Sequence, residues 1–553
     1  MRRHQRLATM PPMTKPRRVL VVTGQPGPAA RAICEQLESL GMQVRQAEES
    51  SAIRRIEAGG IDGVVLTPTC HVSENDVLSL EDFVRAGGGL VAVGAPGSTS
   101  GHFNLLAGLL GCRVHLHTQP FAFKVQVADG NHPIAHRLGE FWIQDELSVM
   151  EKSIDSHALL SAWYDGKAQP MACVRREGQG TVVMIALGRT AEAVAHPLWR
   201  TLVGRAVRLA AGEDWMTRTV KVGIIGYGGA FNMGKLHGEA LSRARMQVTA
   251  VCDLDPKRAA AAKGELGEHV RLFTDPAKLL ADSDAELCVV ITPHNTHAAL
   301  SLQCLEAGRH VVTEKPYTIT VDEATRVIET ARRVGKVATV FHNRRWDGDF
   351  LAMKRIVDSG AIGDPYHIEC FFGGYGEPRP DWWRSSKAAS GGAFYDWGAH
   401  FVDWVLQLMQ QPIESVAGSF HKRVWHQISN EDHIDATIRF AGGRTASIEQ
   451  SSIAAIPKSR FRILGTHGGI EQRTAEPKDG IRVVSFRDGQ RTESIVSCLP
   501  SDWDAFYRNL ADHLLLGEAL AVTPESARDV VAVLHLAEAS AKQGGVPLPL
   551  PYR

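Results

Sequence analysis

VGIIGYGG, at residues 222–229, decides the fold of the larger part of this chain. An apolar, strand-like run leads directly into Gly226, Tyr227, Gly228 and Gly229, and helix-compatible sequence follows. Glycine permits a tight turn and lets backbone N–H groups and a helix N-terminus approach a pyrophosphate. The run therefore predicts a dinucleotide-binding turn, although a glycine turn taken alone is equally typical of a plain strand-to-helix connection.

The next strand-like run, QVTAVCD, strengthens this interpretation. It ends at Asp253, roughly 25 residues beyond the turn, where a carboxylate can accept hydrogen bonds from the adenosine ribose hydroxyls. Asp253 could instead cap the helix that starts near Pro256. A carboxylate there would repel a ribose 2′-phosphate, which favours NAD, while Lys257 and Arg258 leave NADP open. The third glycine of the usual fingerprint is displaced to Gly234 or absent.

Length and composition limit the classes of protein that fit. A chain of 553 residues is too long for one hydrophobic core, so we expect two or three domains. The 61 basic and 61 acidic residues balance, which argues against a nucleic-acid partner. The nine cysteines contain no C-x-x-C pair, so the sequence predicts neither a disulfide framework nor a metal site and favours a reducing cytoplasm. No apolar run reaches the length of a membrane span.

The pattern of apolar runs predicts the fold class. Unbroken runs such as RVLVVTG and GLVAVGAP, and later KVGIIGYGG and AELCVVITP, suit parallel sheets covered by helices. Segments such as IDATIRFAGG alternate and indicate a mostly antiparallel open sheet in an α+β domain. We predict a flexible tail (1–16), a doubly wound α/β domain (17–215), a Rossmann domain (218–340) and an α+β domain for substrate binding and oligomerisation (341–553).

The segments GIIGYGG, VCDLDPKR, ITPHNTH, EKPYT and GGAFYDWGAHFVDW stand in the order and spacing of the Gfo/Idh/MocA oxidoreductases. Residues 219–553 resemble that family. The most specific feature is the pairing of Glu314-Lys315-Pro316 with the later Asp396-x-x-x-His400.

Oxidation of a secondary alcohol needs a base for the hydroxyl proton and a cationic group that orients the hydroxyl beside the nicotinamide. Asp396 and His400 lie on one face if their segment is helical. The resemblance implies that His400 accepts the proton, that Lys315 bonds the reacting hydroxyl and that Asp396 orients the substrate. It also implies a cis peptide before Pro316. Singly, such a histidine is more often a core residue and such a lysine a surface residue.

Further candidates surround these three. By resemblance, Thr292, Pro293, His294, His297, Glu314 and Lys315 lie along the cofactor. His297 is equally explained as a helix cap. The segments HNRRWD and DWWR supply Arg345, Trp383 and Arg384, which with Asp396 and His400 form the mixture of guanidinium, aromatic and polar groups that sugar sites use, although tryptophans also occupy cores and subunit contacts.

The first part of the chain resembles the ThuA, or trehalose-utilisation, family, whose fold is similar to flavodoxin and the class I glutamine amidotransferases. VRAGGGLVAVG, NHPIAHRLGEFWIQDEL and REGQGTVVMIALG carry the resemblance. It implies a polar pocket with His132, Asp145 and Glu146. Gly94 and Arg189 stand where the family has histidines, so we expect a degenerate or accessory carbohydrate-related activity.

These observations give three functional hypotheses. The leading one is an NAD(P)-dependent oxidoreductase acting on a secondary hydroxyl or ketone of a sugar, glycoside or inositol-like polyol, the substrate class being implied by the resemblance. A redox-neutral glycosidase or lyase that passes through a transient keto-sugar would release no net NADH. A nucleotide-bound sensor or scaffold would not need Lys315, Asp396 and His400. The family resemblance also implies a homo-oligomer.

Overall fold

The computed structural model describes residues 16–25, 27–56, 59–95, 103–213, 218–228 and 232–552. Three predicted features lie outside these ranges: the tail except for its last residue, the domain boundary near Trp215, and Gly229. Within the described ranges the chain forms two compact units, one of residues 219–511 and 519–552, the other of residues 16–218 together with 512–518. None of the helices in the described part combines the length and apolarity that a membrane span requires.

The N-terminal unit is built on a mixed sheet. The strands of the unit are β1 Arg18–Val22, β2 Gln43–Ala47, β3 Gly63–Leu66, β4 Gly89–Val93, β5 Cys112–His117, β6 Phe121–Val127, β7 Phe141–Asp145, β8 Ser148–Lys152, β9 His157–Tyr164, β10 Lys167–Glu177 and β11 Gly180–Ile185. Of these, β5 and β8 pair only with each other, as a separate two-stranded sheet. Its helices are α1 Pro28–Ser39, α2 Glu74–Arg85, α3 Phe103–Leu110, α4 Ala191–Ala195 and α5 Pro197–Ala210. The parallel order β2-β1-β3-β4-β11 is that of a flavodoxin-like doubly wound fold, which confirms the prediction. An antiparallel extension, β10-β9-β6-β7, completes the sheet.

The nucleotide-binding domain follows the Rossmann pattern. Its strands are β12 Val220–Ile225, β13 Met246–Cys252, β14 Arg271–Phe273, β15 Leu287–Val290, β16 His310–Thr313 and β17 Ala338–Val340. Its helices are α6 Met233–Ser242, α7 Pro256–Leu266, α8 Pro276–Asp282, α9 His297–Glu306 and α10 Val321–Val334. The order β14-β13-β12-β15-β16-β17 is parallel throughout. Strand order reverses between β12 and β15, and ligands of open α/β sheets bind at the carboxyl ends of the strands at such a point.

The C-terminal domain is a large open sheet with helices against it. Its strands are β18 Pro365–Gly373, β19 Ile413–His421, β20 His433–Phe440, β21 Thr445–Ser451, β22 Phe461–Gly465, β23 Gly468–Gln472, β24 Ile481–Arg487 and β25 Gln490–Val496. Its helices are α11 Gly348–Asp358, α12 Lys387–Ser390, α13 Gly398–Met409, α14 Asp504–Leu516 and α15 Pro524–Lys542. In the order β19-β20-β21-β18-β22-β23-β24-β25, β18 and β21 pair in parallel and the other described pairs are antiparallel, as the alternating pattern predicts.

Helices α13 and α15 pack against the sheet of the C-terminal domain. The side chains of Trp404, Phe401 and Val533 on these helices are almost fully buried against apolar side chains of the sheet. Gly418 of β19 lies so close to α15 that an added Cβ would stand 2.1 Å from the carbonyl oxygen of Ala537. This close packing holds the start of α13 at a fixed position.

Candidate active site

A cavity of about 1130 Å³ lies at the carboxyl ends of the Rossmann strands and extends to the start of α13. The predicted residues that line it are Gly226, Tyr227, Gly228, Asp253, Thr292, Pro293, His294, Glu314, Lys315, Trp383, Arg384, Asp396 and His400. All of them belong to the unit formed by residues 219–511 and 519–552. His297 and Arg345 are not among the lining residues.

The glycine turn forms one end of this cavity. Gly226 has φ of +93°, and a Cβ there would lie 2.2 Å from the carbonyl oxygen of Ile291, so another residue does not fit. Gly228 has φ of +94°. The backbone N–H of Tyr227 donates to Oδ2 of Asp253 at 2.7 Å, which joins the turn to the end of β13. The turn is thus held open as a cradle for a ligand.

Tyr227 contributes to this cradle through its backbone. Its ring is buried, its hydroxyl donates to Glu265 at 2.7 Å, and Gly234 of α6 packs against the ring so closely that a Cβ would stand 2.5 Å away. Gly234 therefore fills the role of the displaced third glycine, which is close packing of the helix. Arg258 lies over Gly228, with its Cδ 3.4 Å from where a Cβ would stand, and its side chain is about half exposed.

Lys315 and Asp396 form an ion pair inside the cavity. Nζ of Lys315 donates to Oδ1 of Asp396 at 2.6 Å and to its backbone carbonyl oxygen at 3.2 Å. Burial raises the pKa of Asp396, but the charges of Lys315 and of Arg384, whose Nε lies 3.7 Å away, outweigh burial and lower the pKa to about 2. The peptide between Lys315 and Pro316 is cis, as the resemblance implies. Asp396 is therefore a permanent carboxylate beside an ammonium group.

His400 lies in the first turn of α13 with only 5% of its surface exposed. Burial lowers its pKa well below the usual value, and the nearby charges of Lys315 and Arg344 lower it further, so the imidazole is neutral. The expectation that Asp396 and His400 share a helix face depends on a helical segment, and the structure does not provide one, because α13 begins at Gly398 and Asp396 follows a short 3-10 turn. Both side chains nevertheless line the same cavity.

His294 presents a second neutral imidazole at the cavity. Its Nδ1 donates to the carbonyl oxygen of Ser390 at 2.8 Å, and its ring meets the edge of Trp383 with the ring centroids 4.8 Å apart. Burial lowers its pKa well below the usual value. Its Nε2 is buried and has no hydrogen-bond partner within the described part of the chain.

A buried chain of hydrogen bonds fixes Glu314 beside Lys315. Nε2 of His237 donates to Glu314 at 3.0 Å, and the hydroxyl of Tyr507 donates to Nδ1 of His237 at 2.5 Å. The other carboxylate oxygen of Glu314 accepts the backbone N–H of Lys315 at 3.0 Å. The sequence analysis missed His237 and Tyr507, which lie on α6 and α14 and come together only in the folded chain.

His297 braces two loops and does not line the cavity. Its Nδ1 lies 2.7 Å from the carbonyl oxygen of Pro316 and its Nε2 lies 2.9 Å from that of Thr292. The side chain is fully buried. The prediction of a direct cofactor contact is therefore replaced by a structural role, since the imidazole lies between the loop after β15 and the loop after β16 and donates to a carbonyl oxygen of one of them.

Arg345 was predicted to bind substrate, but the structure buries it in the core. Its guanidinium bonds both oxygens of Asp403, at 2.6 to 3.1 Å, and donates to the carbonyl oxygen of Ala521 at 2.6 Å. Its neighbour Arg344 lines the cavity instead, with its guanidinium carbon 4.6 Å from the ring centre of Trp397 and 5.2 Å from that of Trp503. The guanidinium and aromatic mixture expected for a sugar site is present, but it uses the preceding arginine.

The polar residues predicted in the N-terminal unit do not form one pocket. Asp145 is fully buried and accepts backbone N–H bonds from Gly188 at 2.6 Å and from Glu146, Arg189 and Thr190 at 2.9 to 3.1 Å. Glu146 pairs with Arg189 at 2.6 Å. Asp145 thus braces the loop after β11, and the arginine that replaces the family's histidine occupies the space beside Glu146.

His132 lies at the other end of the β6–β7 hairpin from these residues. Asp145 pairs with Phe121 at the start of β6, whereas His132 follows the end of that strand and lies beside His157 with the ring centroids 6.3 Å apart. The six residue steps along β6 separate the two ends by about 20 Å. His132 therefore does not share a site with Asp145 and Glu146.

Family models match three stretches of the chain. An oxidoreductase-family model described as an NAD-binding Rossmann fold, GFO_IDH_MocA, matches residues 220–342, and a GFO/IDH/MocA C-terminal domain model matches residues 350–471. A ThuA model, described as trehalose utilisation, matches residues 18–210.

Individual relatives match the C-terminal unit. YdgJ, an uncharacterized oxidoreductase of Escherichia coli, is 28% identical over 346 residues, which are 59% of this chain and 98% of YdgJ. The scyllo-inositol 2-dehydrogenase (NADP(+)) IolW of Bacillus subtilis is 27% identical over 349 residues, which are 59% of this chain and 94% of IolW. The crystal structure of an NAD-binding protein from Listeria innocua is 27% identical with a TM-score of 0.53, over 60% of this chain and 97% of that one.

The different environments of Arg345 and Arg344 predict different effects on stability. We expect Arg345→Met to destabilise the C-terminal unit by about 3–5 kcal/mol, because it leaves the carboxylate of Asp403 buried and unpaired. Arg344→Met should cost clearly less, because a quarter of that side chain is exposed and its partner Asp347 keeps the indole N–H of Trp503 as a donor at 2.5 Å. Thermal unfolding of both variants, followed by circular dichroism, measures the difference.

The double variant Arg345→Met/Asp403→Leu is the matched control. It removes both charges, so it should recover part of the lost stability. Equal melting temperatures for Arg345→Met and the unsubstituted protein would contradict the structural role of this pair.

Proposed function

The chain belongs to the Gfo/Idh/MocA oxidoreductase family through its NAD-binding and C-terminal domains, with a ThuA domain ahead of them, and on this premise we propose that it is an NAD-dependent dehydrogenase of sugars or polyols. Its reaction is the oxidation of a secondary hydroxyl to a ketone, or the reverse. The observation that carries the proposal is the Lys315–Asp396 ion pair in one cavity with the buried neutral imidazole of His400.

The residues at the glycine turn fit an NAD molecule. Gly226 and Gly228 give the turn the positive φ angles, and Gly226 the close approach to the carbonyl oxygen of Ile291, that suit a pyrophosphate-binding turn, and the cavity continues from there to Lys315. Asp253 lies where it can bond the adenosine ribose, and Glu314 lies at the opposite end, beside the reacting groups. Bound NAD supplies a hydride acceptor. The side chain of Arg258 over Gly228 offers a cation that would accommodate a 2′-phosphate, which leaves NADP as a second cofactor.

The three reacting groups have different roles in the transfer of the hydroxyl proton. His400, which is neutral, accepts the hydroxyl proton through a ring nitrogen. The ammonium of Lys315 donates a hydrogen bond to the hydroxyl oxygen and stabilises the negative charge that develops there. Asp396 holds Lys315 in place and remains ionised. His400 is buried and Lys315 is only 12% exposed, which limits the competition of bulk water for these bonds.

The cavity walls favour a ring that carries hydroxyl groups. The guanidinium groups of Arg344 and Arg384 lie over the rings of Trp397 and Trp383, and these guanidinium–aromatic pairs carry N–H groups that can donate to the oxygens of such a ring. The activity in the name of IolW, an inositol dehydrogenase, is consistent with this class. For the ThuA domain we propose an accessory role, since Arg189 blocks the space beside Glu146.

Substitution of His400 tests the proposal. We expect His400→Ala to lower kcat for oxidation by a factor of about 10²–10⁴, because the hydroxyl proton loses its acceptor. The affinity for NADH, measured by fluorescence titration, should stay within about twofold, because Gly226 and Asp253 at the far end of the cavity are unchanged. A screen of sugars and inositols with NAD and NADP, followed at the nicotinamide absorbance, supplies the substrate.

His467→Ala, at an exposed histidine outside the cavity, is the control and should keep full activity. Turnover of His400→Ala at the rate of the control would refute the role of the base. Product formation without net NADH would replace the dehydrogenase by a redox-neutral reaction.

The depressed pKa of His400 predicts the pH dependence of oxidation. Because the deprotonated imidazole is the active form, kcat/KM for oxidation falls as the pH falls through the pKa of His400 in the free protein. That pKa lies well below the ordinary 6.5, so kcat/KM should change little between pH 7.5 and pH 6.5, whereas a histidine of ordinary pKa would be half protonated at pH 6.5. Initial rates at substrate concentrations below KM, in buffers of constant ionic strength, measure this. A twofold drop between pH 7.5 and 6.5 that is absent from His400→Ala would support His400 as the base and contradict its depressed pKa.

A further inference from the structure

The C-terminal domain contains a second cavity, of about 200 Å³, that shares Arg384, Asp396 and Trp397 with the large one. We call it the annex. Because the shared residues include the partner of Lys315, the annex adjoins the reacting end of the large cavity and not the end at Gly226. Its own walls include Phe372, Trp382, Ile428, Asn430, Gln450 and Ser452.

The walls of the annex are held in place by buried hydrogen bonds. Asp432, whose side chain is fully buried, accepts the backbone N–H groups of Arg423 at 2.5 Å and Val424 at 2.6 Å and pairs with Lys422 at 3.0 Å. The side-chain amide of Asn430 donates to the carbonyl oxygen of Arg384 at 2.5 Å. The loop that carries Ile428 is thus tied at both ends, so the annex is a preformed space.

The chemistry of the annex favours a ligand that accepts hydrogen bonds and carries no positive charge, since the guanidinium of Arg379 also lines it. Its acids are paired with cations, Glu431 with Lys387 and Asp432 with Lys422, so their negative charge is compensated. Phe372, Trp382 and Ile428 provide apolar surface.

Amide and hydroxyl groups lie among these apolar walls. The Gln450 amide donates one N–H to the carbonyl oxygen of Ala393 at 2.8 Å and has a second N–H. The Ser452 hydroxyl, which donates to the backbone carbonyl oxygen of Asp432 at 3.2 Å, retains lone pairs. Apolar walls with a few hydrogen-bonding groups suit a hydroxylated ring.

We propose that the annex binds a second ring of the substrate, so that the protein acts on a sugar or polyol that carries a glycosyl group. The reacting ring then lies against His400 and Lys315, the link between the rings lies at Asp396 and Trp397, and the glycosyl group fills the annex. This inference rests on the proposed function and adds the substrate class to it.

Paired substrates test the annex. The kcat/KM for NADH formation is measured for glucose and myo-inositol and for their glycosylated forms, maltose and galactosyl-inositol. We expect the form with two rings to be favoured by about tenfold or more, because the second ring is bound only in the annex. Ile428→Trp fills the annex and should remove most of this preference, while kcat/KM for the single ring stays within about twofold.

A second variant distinguishes the loss of second-ring binding from a folding defect. Arg379 is an exposed residue at the annex, so Arg379→Ala should fold normally and lower kcat/KM for the two-ring substrate alone. Thermal unfolding and NADH affinity check both variants. If Ile428→Trp lowers both substrates equally, or if neither variant changes either substrate, the annex does not bind a second ring and the inference is wrong. If the unsubstituted protein forms NADH with no member of the panel, the proposed function fails as well, which is a separate result.

Discussion

The ion pair between Lys315 and Asp396 is the interaction on which the site depends. It joins the loop after β16 of the Rossmann domain to the segment that precedes α13 of the C-terminal domain, with 2.6 Å between Nζ and Oδ1. A buried carboxylate without a partner would be costly, and its pKa of about 2 shows how strongly the neighbouring cations stabilise the charged form. The pair therefore sets the position of an ammonium group and, through the start of α13, its relation to His400.

Other features of the domain support that pair. The chain of Tyr507, His237 and Glu314 fixes the residue directly before Lys315, and His297 holds the carbonyl oxygen of the proline directly after it. Lys315 is thus restrained on both sides by buried imidazoles. Such restraint keeps a flexible side chain in one position, which catalysis needs because a misplaced donor loses much of its effect.

Parts of the site follow from local sequence. Gly226 and Gly228 are predictable because a positive φ at a strand-to-helix turn requires glycine, and Asp253 is predictable because it ends the adjacent parallel strand. The resemblance to a family pattern identifies Lys315 and His400 as site residues, and the structure brings them to one cavity.

Other parts depend on tertiary packing. Arg344 and Arg345 are adjacent in a 3-10 turn, where neighbouring side chains point in directions about 120° apart, so sequence alone does not say which of them faces the cavity. His237 and Tyr507 are 270 positions apart, and the loop around Ile428 is shaped by the buried carboxylate of Asp432. In the N-terminal unit, His132 and Asp145 are close in sequence, but they lie at opposite ends of one hairpin, which their sequence positions alone do not show.

A double-mutant cycle at the ion pair tests the account most directly, with kcat/KM measured for Lys315→Met, Asp396→Asn and the combined variant. If the two side chains act as one unit, each single variant loses about 100-fold or more and the double variant loses far less than the product of the two losses. Losses that simply multiply, or an Asp396→Asn protein with the activity of the unsubstituted chain, would contradict it.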